Sequence, residues 1–151
     1  MCFSALASFT TAGFTGLLGI AALARTREPR QWPLAAAPLL FAIQQSAEGV
    51  LWLLLPASPH ACLASGATLL FQTIALTVWP LYVPAAILLI EPSASRRRLI
   101  AALLVLGACI SAYLARGLVM SPPGAAILGG HVVYGTANGQ SGIGTLVYLA
   151  A

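Results

Sequence analysis

The stretch FSALASFTTAGFTGLLGIAALA, residues 3–24, decides the fold together with the segment after it, RTREPR at 25–30. The first is 22 residues without a charge, and roughly 20 apolar residues in a helix cross a bilayer. The second packs four charges into six positions: Arg25, Arg27, Glu28 and Arg30. The alternation then repeats. An apolar run from Trp32 or Pro33 to Leu55 is broken only by Glu48, and Pro56-Ala-Ser-Pro-His60 ends it with two prolines that forbid helix continuation. A third run reaches from Leu63 to Ile90 and closes on Glu91-Pro92-Ser-Ala-Ser followed by Arg96, Arg97 and Arg98. A fourth runs from Leu99 to Leu118, before Ser121-Pro-Pro-Gly124. A Gly-rich, uncharged stretch to Gly142 comes next, then a last apolar piece, Ile143–Ala151.

Backbone polar groups in hydrocarbon must pair internally, so such runs are helices. Barrel strands would alternate apolar and polar residues, which these do not. The expectation is an all-α fold, a polytopic transmembrane helix bundle. It forms a single integral membrane domain over 1–151, with spans at about 3–24, 33–55, 63–90 and 99–118 and a partial fifth at 143–151. Nine residues of helix rise about 13.5 Å, under half of a ~30 Å hydrocarbon core, so a continuation beyond Ala151 is expected. Composition agrees. The 151 residues are 60% apolar and 7% charged, against about 25% charged in soluble domains. A net charge of +4 supplies too few cations to coat a nucleic acid. The lipid bilayer is the implied partner.

All seven cations are Arg. Arg25, Arg27 and Arg30 come after the first run, and Arg96, Arg97 and Arg98 after the third. The positive-inside rule puts both groups in the cytoplasm and the N-terminus outside. Ala22-Leu23-Ala24 imitates a signal-peptidase site. A signal peptide carries its positive charge before the apolar run, however, and here the charge comes after it.

Ser4, Ser8, Ala12 and Gly16 lie four apart in the first run, with Gly13 and Gly19 near the same stripe. Small residues at this spacing let helix backbones approach closely. Trp79-Pro80-Leu-Tyr82-Val-Pro84 contains two prolines four apart, each removing a backbone donor, so a kink is expected there.

The informative residue is Glu48. An ionisable side chain within a span is costly and marks a functional site by default. Gln44, Gln45 and Trp52 stand at i−4, i−3 and i+4, so all four share one helix face. Glu48 lies seven residues before Leu55, roughly 10 Å from the outer end. Gln72 in the third span falls at a similar depth. In the fourth, Cys109, Tyr113 and Arg116 align at i, i+4 and i+7, and Arg116 is the natural counter-ion for Glu48. The cluster is read either as a structural hydrogen-bond network or as a site for a proton, an ion or a small ligand.

A second group lies on the outer side: Cys2, His60, Cys62 and His131. Cys and His are ligands that zinc or copper prefer, yet no standard finger spacing is present. A metal site, a Cys2–Cys62 disulfide and four unrelated residues all remain open. No cofactor is required. Gly-x-Ser-x-Gly, His-Glu-x-x-His and phosphate-loop motifs are absent. With no Asp in the chain, an Asp-containing triad is excluded. An enzyme is therefore not the favoured class.

Met1-Cys2-Phe3-Ser4-Ala5, Gln44-Gln45-x-x-Glu48-Gly49-x-x-Trp52 and Trp79-Pro80-Leu-Tyr-Val-Pro84 resemble a family of bacterial multi-pass membrane proteins known as domain of unknown function 6629. The resemblance implies an integral membrane protein, usually longer, with further C-terminal helices. It carries no activity over to any residue. The leading expectation is an inner-membrane protein with a polar intramembrane cluster around Glu48 that opens to the outer side. Its role would be transporter-like, sensory or accessory. The alternatives are a membrane enzyme or metal/thiol redox protein using the outer Cys and His with Glu48, and a purely structural membrane protein.

Overall fold

The computed structural model describes residues 4–59, 61–121 and 123–136. Helix α1 spans Ala5–Arg25. Ser4 caps it: its hydroxyl accepts the Ala7 N–H at 3.2 Å, satisfying one of the donors every helix start leaves over. A short 3₁₀ turn, Pro29–Gln31, leads into α2, Trp32–Leu54. Helix α3 covers Cys62–Gln72 and passes through a wider π-helical segment, Thr73–Val78, into α4, Trp79–Ile90. Helix α5 covers Ala94–Met120. Four helical stretches, Ala5–Arg25, Pro29–Leu54, Cys62–Ile90 and Ala94–Met120, are long and apolar enough to cross a membrane. Helix α5 starts earlier than expected, so Arg96, Arg97 and Arg98 sit in its first turns rather than in a loop.

Helices α1 and α2 pack antiparallel along the small-residue stripe. Gly16 faces the Ala42 side chain, Gly19 faces Leu39, and on the other helix Gly49 faces the Phe9 ring. A Cβ at Gly19 would come within 2.6 Å of Leu39, and one at Gly49 within 2.8 Å of Phe9. Ser8, Ala12 and Gly19 are buried along this seam.

Prolines shape the third span. Pro80 has no N–H, so the Leu76 carbonyl loses the donor a regular helix would give it. The chain widens instead: the Trp79 N–H bonds the Ile74 carbonyl, five residues back. The irregularity thus lies over Thr73–Val78, just ahead of the expected kink. Pro84 likewise takes away the donor for the Pro80 carbonyl, and α5 fits there. A Cβ at Gly107 would collide with the Pro80 carbonyl oxygen. One turn on, the Ser111 hydroxyl donates to the Thr77 carbonyl at 2.8 Å. The Tyr82 hydroxyl donates to the Pro33 carbonyl, tying α4 to the start of α2.

The all-α expectation needs correction. Strands β1, Pro123–Leu128, and β2, His131–Thr136, form an antiparallel hairpin in place of the irregular Gly-rich stretch expected there. Gly129 and Gly130 turn it with φ of +56° and +79°. A two-residue turn with both φ positive is the type I′ geometry, matched to strand twist and suited to glycine. Register pairs Ala125 with Tyr134 and Ile127 with Val132. Those four side chains form the inner face, against a core of Leu51, Leu55, Ala64 and Ala67. Tyr134 stacks on Phe71 of α3, with ring centroids 4.4 Å apart. The hairpin therefore sits on the end of the bundle where α2 turns into α3. The partial fifth span at 143–151 lies outside the described residues.

Candidate intramembrane polar site

Leu51 and Leu55 aim one face of α2 at α3 and the hairpin. One turn deeper the same face becomes polar: Gln44, Gln45 and Glu48 are all buried, with Glu48 at 0% exposure. Helix α3 answers with Thr68 and Gln72, four residues apart and both buried. Five polar side chains are thus enclosed in a chain with only three carboxylates. Glu48 stands six residues before the end of α2 at Leu54, about 9 Å along the axis.

Trp79 closes the deep side. Its indole Nε1 donates to Gln44 Oε1 at 2.7 Å. Indole can only donate, so the amide oxygen must face it and the Gln44 amino group is turned elsewhere. The Thr68 hydroxyl donates to the Ala64 carbonyl at 2.8 Å, which leaves its oxygen lone pairs to accept. On the shallow side Trp52 is half-buried, and its Nε1 has no hydrogen-bond partner among the described residues. Beyond Trp52, the layer of Leu51, Leu55, Ala64, Ala67 and Val132 separates the polar group from the hairpin end. The expected opening toward that end is covered by the hairpin.

The enclosed groups are one carboxylate, three carboxamides and a hydroxyl. Oxygen donors of this kind suit a proton, a hard cation or a small hydrogen-bonding ligand, and no sulfur or imidazole stands among these five.

The other sequence-derived candidates are placed elsewhere. Tyr113, 69% exposed, and Arg116, also exposed, lie on α5, which packs chiefly on α4 and the π segment. The structure does not bring them onto the α2–α3 face. Cys62 is exposed at the start of α3, and His131 is exposed at the start of β2. Cys2 and His60 lie outside the described residues. Among the described residues no group of three or more His, Cys, Asp or Glu is arranged to hold a metal. Sequence reasoning missed Thr68 and gave Trp79 no part in the site. The signal was present: Thr68 stands four residues before Gln72, and Trp79 seven residues after it.

The fold and site define a membrane protein of four candidate spans, capped at one end by a β-hairpin and holding a buried carboxylate–carboxamide face. The chain belongs to the family of unknown function DUF6629, whose model matches residues 1–151. No match was found among curated proteins or among solved structures.

Proposed function

We propose that this is a bacterial inner-membrane protein in which the Glu48 face takes up a proton or a small cation in a transporter-like, sensory or accessory role. The observation that carries the reading is the enclosure of Gln44, Gln45, Glu48, Thr68 and Gln72 on facing stretches of α2 and α3. Polar groups inside a span are costly, and a bundle can be held together without them, as the α1–α2 seam illustrates. The arginines at the opposite end orient that end to the cytoplasm and the hairpin to the outside.

Trp52 and Trp79 flank Glu48 and supply an internal reporter. Purified protein in liposomes is titrated with H⁺, Na⁺ and K⁺ while indole fluorescence is followed. The expected result is a saturable change that Glu48→Gln abolishes and Glu28→Gln leaves intact. A Glu48→Gln protein that folds, accumulates normally and responds like the parent overturns the proposal. Loss of the folded protein alone in Glu48→Gln would assign the cluster to structure.

A further inference from the structure

We propose that the cavity at the arginine end of the bundle binds the phosphodiester headgroup of an anionic phospholipid. It holds about 520 Å³ and lies between the α1–α2 and α4–α5 connections, within the ~300–1,000 Å³ typical of small-ligand sites. Its two walls differ in kind. Arg30, Arg97 and Glu28 line one side, and Leu89 and Ile90, the last residues of α4, line the other.

The charges are arranged for an anion. Glu91 also lines the cavity, but its carboxylate is already engaged. Arg96 holds it at 2.9 Å, and it accepts the Ser93 N–H at 2.8 Å. Arg97 is anchored from below, where its Nη1 donates to the Leu88 carbonyl at 3.4 Å. That bond uses one of the five guanidinium donors and leaves the rest for a ligand. Arg30 makes no ion pair among the described residues. Two arginines against Glu28 leave a net positive lining, and Arg25, Arg27 and Arg98 stand close along the chain. Planar guanidinium donors match phosphate oxygens in pairs.

Depth identifies the ligand class. Helix α1 ends at Arg25, α4 ends at Ile90 and α5 begins at Ala94. The cavity therefore sits where apolar spans give way to polar connections, the level at which headgroups lie. Basic pockets between spans at this level bind acidic headgroups. Free phosphate would use the arginines alone. A phospholipid would use them together with Leu89 and Ile90, against which its first acyl carbons would lie.

The test is native mass spectrometry of the detergent-purified full chain. It is loaded with phosphatidylglycerol or phosphatidylcholine of identical acyl chains, or with inorganic phosphate. Phosphatidylglycerol should be retained roughly fivefold better than phosphatidylcholine for each arginine engaged. Arg30→Gln should weaken that preference, Arg30→Gln with Arg97→Gln should remove it, and the paired Lys substitutions should keep part of it. Arg116→Gln, on the far half of α5, should leave it unchanged. Arg30 makes no ion pair among the described residues, so its single substitution tests the site even if the double variant misfolds. Equal retention of both lipids, or a preference indifferent to Arg30→Gln, overturns the proposal. Displacement of the lipid by equimolar inorganic phosphate reassigns the cavity to a free anion and overturns it equally.

Discussion

Two helix seams in this protein use glycine for opposite purposes. Between α1 and α2, glycine makes room for a side chain: Gly49 receives the Phe9 ring and Gly16 the Ala42 methyl. Between α4 and α5, glycine makes room for main chain: Gly107 receives the Pro80 carbonyl, which Pro84 has left without its helical donor. Ser111 then bonds a second carbonyl, that of Thr77. The first seam is a shape match between apolar surfaces and depends on dispersion. The second repairs a helix that prolines have broken, where an unsatisfied carbonyl in hydrocarbon would be costly. Small residues in a membrane seam therefore fall into two classes, those that can be repacked and those that cannot.

The sharpest way to break that distinction is Gly107→Ala. The new methyl meets a backbone oxygen that no neighbouring substitution can trim. The expected loss is about 3 kcal/mol, seen as a lowered thermal unfolding midpoint in detergent. Recovery by a substitution elsewhere on α4 would erase the difference between the seams. Gly49→Ala should cost about 1.5 kcal/mol, because only the tip of the Phe9 ring obstructs it. Phe9→Leu in the same chain should recover most of that loss, and a double-mutant cycle measures the coupling. Ser111→Ala should have the smallest effect, about 0.6 kcal/mol, typical of a hydrogen bond between membrane helices. A larger loss for Ser111→Ala than for Gly107→Ala would show that the hydroxyl, not close approach, holds α5 in place.

Much of the architecture is legible in the sequence because a bilayer imposes one long period and few exceptions. Ten charges in 151 residues mark the helix ends to within a few positions, and Arg96–Arg98 are displaced only because a helix tolerates exposed arginines in its first turns. The Ser8, Ala12 and Gly19 stripe is readable as a seam for the same reason. The hairpin escapes such a reading, although Gly129-Gly130 between two short apolar runs is a turn signature. Its uncharged flanks resemble the rest of a membrane chain, and the six-residue strands are too short to show much alternation. At the candidate site, Gln44, Gln45 and Glu48 stand out as polar residues in an apolar run. Where α5 packs is not readable, because nothing in the run from Leu99 to Leu118 states which face meets which neighbour. The placement of Tyr113 and Arg116 depends on that choice.

The π segment has a consequence for how this chain can vary. A widened turn is one residue more than a regular helix needs for the same rise. Removing any one residue between Gln72 and Trp79 would let the span close into a regular helix and swing everything beyond it by about 100°. Trp79 would leave Gln44, Tyr82 would leave Pro33, and the Pro80 carbonyl would leave Gly107. Thr73–Val78 therefore sets a reading frame in three dimensions: substitutions within it are cheap, whereas a one-residue gap rewrites two seams and the polar site together.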